Sequence, residues 1–94
     1  MFCSDCDPAD VADFDSRLRA EPAAPLGTPI AVTEARWGSV PRVYIETAGD
    51  KLLSPKMQKQ LYTASPCDQV LTLNASHAPF LSMPDALVDH LLAL

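Results

Sequence analysis

Two short apolar runs in the second half of the chain have the pattern of β-strands, and a helical pattern lies between them. Residues 42–47 (RVYIET) and residues 69–73 (QVLTL) are rich in residues that favour strands. Between them, Ser54 followed by a proline is typical of a helix start, and the sequence predicts a helix over residues 55–64. Two strands joined through a helix are expected to run parallel.

The helical segments also predict which side chains are buried. In the helix over residues 55–64 we expect Met57, Leu61 and Ala64 to face the sheet. A last helix is predicted to open at Pro84, with leucines and a valine as its apolar stripe over residues 85–94. The order strand, helix, strand, helix is the signature of an α/β fold.

The first part of the chain has less regular patterning. Asp7 followed by proline is typical of a helix start, and the apolar spacing predicts an amphipathic helix over residues 8–20. Residues 21–29 contain three prolines and a glycine, which indicates connecting backbone. The chain thus divides into a helix with a proline-rich connector, residues 1–36, and a strand-helix-strand-helix unit, residues 37–94.

Size and charge narrow the classes of function. The chain has 94 residues and a net charge of −5. It is long enough for one small domain, and its acidity argues against binding to nucleic acid or to anionic membranes. We find no apolar run of membrane-spanning length and no basic, apolar start of the kind found in signal peptides. The expected setting is soluble, reducing and cytoplasmic.

One polar residue of a type common in catalytic sites follows each predicted strand. Asp50 comes after the first strand and His77 after the second. Because parallel strands end at the same edge of the sheet, where ligands and catalytic groups of open α/β sheets gather, we expect the two side chains to meet. A carboxylate that holds an imidazole in one tautomer is two-thirds of a hydrolase triad. Taken alone, Asp50 could be a turn residue and His77 a loop residue satisfied by backbone.

The third member of such a triad is missing from the 94 residues. The order Asp then His is that of the α/β-hydrolases, whose nucleophile lies in a G-x-S-x-G turn, and no such motif occurs. Ser39 follows a glycine but has none after it, so we interpret it as a turn residue. Ser76 and Ser82 lie near His77 in sequence, and Ser76, as its neighbour, is badly placed to aim at the ring.

Three stretches resemble the C-terminal part of an α/β-hydrolase, in the branch that contains plant methylesterases and hydroxynitrile lyases. They are WGSVPRVYIET (residues 37–47), DKLLSPKMQ (residues 50–58) and SHAPFLSMP (residues 76–84). The resemblance implies that Asp50 and His77 are triad members and that residues 1–36 include the end of the family's cap region. It also implies a small-molecule ester as substrate of the complete enzyme and no cofactor or metal.

These observations lead to three hypotheses. The first is the C-terminal portion of a carboxylic-ester hydrolase, inactive alone, that pairs with an N-terminal hydrolase half or with itself. The second is a non-enzymatic association module or truncated gene product. The third is a metal or thiol protein built on Cys3, Cys6 and Cys67, with His77 as a further ligand. Against the metal or thiol hypothesis, three cysteines is an odd number that does not suggest a disulfide framework, and the sequence favours unpaired thiols.

Overall fold

A two-stranded parallel sheet organises the second half of the chain. The computed structural model describes residues 2–94. Strand β1 (Val43–Thr47) pairs with strand β2 (Gln69–Leu73) in register, from Val43 opposite Gln69 to Thr47 opposite Leu73. Helix α2 (Pro55–Ala64) makes the crossover. The predicted α/β class, with two parallel strands and flanking helices, is confirmed.

Local capping explains the bounds of α2 and the entry into β1. The Ser54 hydroxyl accepts a hydrogen bond from the Met57 amide at 3.4 Å, and proline occupies the first helical position. Before β1, the Arg42 amide donates to the Asp68 carboxylate at 2.7 Å, and the Asp68 amide donates to the Arg42 carbonyl at 2.8 Å. This reciprocal pair fixes the register where both strands begin.

The inward face of α2 differs from the predicted one. Met57 and Leu61 are 50% and 51% exposed, Ala64 is also exposed, and Gln58 is buried. Tyr62 also faces β1: its hydroxyl donates to the Glu46 carboxylate at 3.1 Å. The prediction of an apolar inner face was wrong because polar contacts, rather than apolar ones, join α2 to the end of β1.

Two helices follow β2. Helix α3 (Pro79–Ser82) is a single turn that the sequence did not predict, and helix α4 (Pro84–Leu92) is the expected last helix, ending two residues early. Both begin with a proline at the first position. Helix α4 packs against α3 and β2 and leaves the side chain of Leu92 exposed.

The chain before β1 has one α-helix, a 3₁₀ turn (Ala24–Gly27) and a π-helical turn (Glu34–Gly38). Helix α1 (Pro8–Arg17) is capped by Asp7, which accepts a hydrogen bond from the Ala9 amide at 2.9 Å. It ends three residues before the predicted bound, because the Leu18 amide turns back to the Asp15 carbonyl. Over residues 2–94, we find no helix that is both long enough and apolar enough to span a membrane.

The best-buried part of the described chain lies at the C-terminal ends of the strands. Its apolar members are Leu73, Ala75 and Ala78. Its polar members are Thr47, Asp50, Gln58 and Ser76. Burying polar groups is costly unless they are hydrogen-bonded. This cluster of buried polar side chains therefore indicates a site in which polar groups bind one another.

Candidate active site

The structure brings the two sequence-predicted site residues into contact. The Nδ1 atom of His77 lies 2.8 Å from Oδ2 of Asp50. The side chain of Asp50 is 2% exposed, whereas that of His77 is 35% exposed. The carboxylate is therefore enclosed, while the imidazole reaches the surface.

The carboxylate of Asp50 is held by several donors. Its Oδ1 accepts the amide protons of Leu52 and Leu53, both at 2.8 Å, and its Oδ2 accepts the Thr47 hydroxyl at 3.1 Å. Burial raises the pKa of Asp50, but the hydrogen bonds from Leu53, His77, Leu52 and Thr47 outweigh it, so the pKa lies below its ordinary value of 3.8.

The ionised state of Asp50 determines what His77 can do. An ionised carboxylate only accepts hydrogen bonds, so Nδ1 of His77 must be the donor. In the neutral imidazole this leaves Nε2 with a free lone pair. The pair can thus take up a proton at Nε2 and stabilise the imidazolium that forms.

Backbone contacts beyond the strands place the two loops side by side. The Ala48 amide donates to the Leu73 carbonyl at 2.9 Å, and the Gly49 amide donates to the Ala75 carbonyl at 3.0 Å. A Cβ at position 49 would lie only 3.1 Å from the Ala75 carbonyl oxygen. Glycine therefore permits the close approach that sets Asp50 beside His77.

The turn at residues 2–5 also supports the loop that carries His77. The sequence pattern did not predict this contact. The Asp5 carboxylate accepts the Ser76 amide proton at 2.8 Å and also the Ser76 hydroxyl. Burial raises the pKa of Asp5, but hydrogen bonds, mainly those from Ser76, outweigh it and hold the pKa below 3.8. Without Asp5, the Ser76 amide would lose its acceptor, at a cost of about 1–3 kcal/mol.

An aromatic contact adds to this support. The Phe2 ring centroid lies 5.7 Å from that of His77, with the planes tilted by 59°.

Seventy-one positions separate Asp5 from Ser76, and no motif connects them. A pattern-based search of the sequence therefore had no signal for either contact.

The cysteines do not support a metal site that includes His77. Cys3 and Cys6 are joined in a disulfide, with their Cα atoms 5.3 Å apart, so the prediction of unpaired thiols is wrong for these two. Within residues 2–94, one group of metal-ligand-type side chains lies close together, and it consists of Cys3, Asp5 and Cys6. Cys67 and His77 are not part of it, and Asp5 is already engaged by Ser76.

None of the serines that the sequence singled out is available as a nucleophile. The Ser76 hydroxyl donates to Asp5, and the Ser39 hydroxyl donates to the Arg36 carbonyl at 2.9 Å. The Ser82 hydroxyl is buried away from solvent. Ser39 is exposed, but it lies with Arg42 and Asp68 where the strands begin, at the end opposite His77. The described residues thus hold two members of a triad-like arrangement, and none of these three hydroxyls is placed to serve as its nucleophile.

Comparison with known proteins shows that the chain is similar to proteins named as esterases and hydrolases. The chain is 38% identical over 86 residues to a protein of Arabidopsis thaliana named as methylesterase 11, covering 90% of the chain and 22% of that protein. It is 31% identical over 90 residues to the pyrethroid hydrolase of Sphingobium wenxiniae, covering 95% of the chain and 32% of that protein. It is 38% identical over 87 residues to the pheophorbidase of Raphanus sativus, covering 88% of the chain and 32% of that protein. No protein-family model matches the chain.

The fold agrees with the sequence comparison. The crystal structure of polyneuridine aldehyde esterase superposes with a TM-score of 0.88 at 26% identity, over 99% of this chain and 37% of that one. The chain thus spans between about a fifth and a third of the curated relatives named here. The chain is similar in sequence and in fold to α/β-hydrolase esterases, and these partial matches fit a C-terminal part of the α/β-hydrolase fold.

Proposed function

We propose that Asp50 and His77 are the orienting carboxylate and the general base of a Ser-His-Asp triad in an ester hydrolase. The observation that carries this proposal is the 2.8 Å contact between Nδ1 of His77 and Oδ2 of Asp50. It lies where two parallel strands end, the edge at which α/β folds place their ligands and catalytic groups. Relatives named methylesterase and aldehyde esterase support an ester as the substrate class.

In this mechanism, Nε2 of His77 removes the proton of a serine hydroxyl as its oxygen attacks the ester carbonyl. The imidazolium then gives that proton to the departing alkoxide, which leaves as the alcohol. Water, deprotonated by the same Nε2, then attacks the acyl-serine, and the imidazolium returns that proton to the serine oxygen as the acid is released. Asp50 stays ionised throughout and stabilises the imidazolium, consistent with the bonds that hold its pKa low.

We infer that the serine belongs to a segment outside these 94 residues. The sequence contains no G-x-S-x-G turn, Ser76 and Ser82 are engaged or buried, and the exposed Ser39 lies at the end of the strands opposite His77. The 94 residues alone therefore do not hydrolyse esters. In the complete enzyme, residues 37–94 would form part of the catalytic body, and residues 1–36 the end of a cap over the pocket.

Pairing with a serine-bearing segment would also cover apolar surface. Met57 and Leu61 on α2, Val70 on β2, and Val88 and Leu91 on α4 are all exposed. A two-stranded sheet is marginal unless further strands or helices pack on it. We infer that the chain associates with a hydrolase body, and that without one it tends to self-associate.

Supplying the missing segment tests the proposal. The chain is produced alone and together with the part of the Sphingobium pyrethroid hydrolase that it does not match, which is about two-thirds of that protein. We expect the chain alone to leave p-nitrophenyl acetate intact and to escape labelling by a fluorophosphonate. The co-produced pair is expected to elute together, hydrolyse the ester and carry the label on the added segment.

The controls are the added segment alone and the same pair with alanine at the serine of its G-x-S-x-G turn. Neither should be active. Labelling or hydrolysis by the 94-residue chain alone would contradict the proposal. So would a stable pair in which the serine remains unreactive.

A further inference from the structure

The loop that carries Asp50 is closed by one buried amide side chain, that of Gln58 on α2. This side chain is 2% exposed. Its Nε2 donates to the carbonyl oxygens of Thr47 and Leu53, at 2.9 and 2.8 Å, and its Oε1 accepts the Thr47 amide proton at 2.9 Å. Both amide protons and the carbonyl oxygen are therefore used within the loop.

The groups that Gln58 holds are the neighbours of the carboxylate. Thr47 and Leu53 lie three residues before and three residues after Asp50. The Thr47 hydroxyl and the Leu53 amide are themselves donors to Asp50. Gln58 thus fixes the separation of two groups whose spacing determines where the carboxylate lies.

Apart from these hydrogen bonds, the burial of Gln58 contributes little to the packing of helix α2. Met57 and Leu61 on the same helix are half exposed, so the apolar residues do not occupy the inward position. A buried amide is tolerated only when its hydrogen bonds are made, and a fully bonded one rigidifies its surroundings. The contacts of Gln58 are concentrated on residues 47–53.

We propose that Gln58 is a positioning residue, which holds the loop 47–53 so that Asp50 accepts the Nδ1 proton of His77. A role of Gln58 in catalysis rests on the proposed function, whereas its effect on the position of Asp50 does not. Gln58 touches neither His77 nor the proposed reacting atoms; it acts through the two residues that bind the carboxylate.

The test is a carbon-13 NMR titration of the Asp50 carboxyl in the full 94-residue chain. Gln58→Met keeps the side-chain length and removes every hydrogen bond of the Gln58 side chain. We expect the pKa of Asp50 to rise from its lowered position, because the Leu53 and Thr47 donors are no longer held in place. Gln60→Met, at an exposed position of the same helix, is the matched control and should leave the titration unchanged.

A second variant and a kinetic readout complete the test. Gln58→Glu keeps an acceptor for the Thr47 amide but loses both donors and adds a carboxylate near Asp50, so the pKa of Asp50 should rise at least as far as in Gln58→Met. In the active pair described above, Gln58→Met should lower kcat by up to about 100-fold with little change in KM, because misplacement affects the transition state more than binding.

A folded Gln58→Met chain with an unchanged Asp50 titration would overturn the inference. Unfolding of both Gln58 variants, under conditions where the parent and Gln60→Met remain folded by circular dichroism, would also overturn it, because Gln58 would then serve the fold as a whole. If the pair shows no esterase activity, the proposed function fails, while the titration still decides the geometric claim.

Discussion

His77→Ala is expected to lower kcat for ester hydrolysis by about 10⁴- to 10⁶-fold in the co-produced pair. The reason is that Nδ1 of His77 is engaged by Asp50 at 2.8 Å, which leaves Nε2 as the ring nitrogen that can accept the serine proton. The measurement is the turnover of p-nitrophenyl acetate at saturating ester, with fluorophosphonate labelling as a second readout. Labelling should be lost as well, because it depends on the same activated hydroxyl.

The chain offers a matched control for this substitution. It has two histidines, and His90 lies in the last turn of α4. His90→Ala removes the same ring without touching the Asp50 loop and should leave kcat unchanged. A His77→Ala pair that hydrolyses the ester as fast as the His90→Ala pair would refute the role of His77 as base.

Asp50→Asn is expected to lower kcat by about 10⁴-fold, the size of effect seen when a triad aspartate is made neutral. An asparagine at this position can present its amide protons to Nδ1, which would shift the imidazole proton to Nε2 and leave no base for the serine. The volume of the side chain hardly changes, so packing is preserved. Retention of most of the activity by a folded Asp50→Asn pair would show that Asp50 does not orient His77.

The same substitution changes how stability depends on pH. The folded-state pKa of Asp50 lies below its ordinary value of 3.8, so the unfolded chain binds more protons between the two values. Ionised Asp50 therefore stabilises the fold above about pH 4, and this contribution is lost as the pH falls through the folded-state pKa. Urea unfolding between pH 7 and pH 3 should show that the free energy of unfolding falls less on acidification for Asp50→Asn than for the parent. The fall that remains in the variant includes the contribution of Asp5.

Much of the scaffold around the site could be predicted from local sequence signals. The bounds of α2 and β2 match the prediction because Ser54, Pro55 and Pro66 fix where the helix starts and ends. The crossover then makes the two strands parallel, and this rule alone was enough to predict that Asp50 and His77 would meet. Their contact depends on topology rather than on any neighbouring residue in sequence.

The contacts that hold the loops of Asp50 and His77 in place could not be predicted in this way. Apolar periodicity pointed to Met57 and Leu61 as the inward residues of α2, but the end of β1 needed the hydrogen bonds of Gln58. Asp5 reaches Ser76 across 71 positions, and such side-chain-to-backbone contacts leave no periodic trace. The disulfide between Cys3 and Cys6 was missed because an odd number of cysteines suggested no pairing.

The account depends above all on the hydrogen bond between the ionised carboxylate of Asp50 and the imidazole of His77. The most direct measurement is a long-range proton–nitrogen NMR correlation of the His77 ring at neutral pH. We predict that the proton resides on Nδ1 in the parent chain and moves toward Nε2 in Asp50→Asn. A parent ring protonated on Nε2, or a tautomer that is the same in both proteins, would contradict the account.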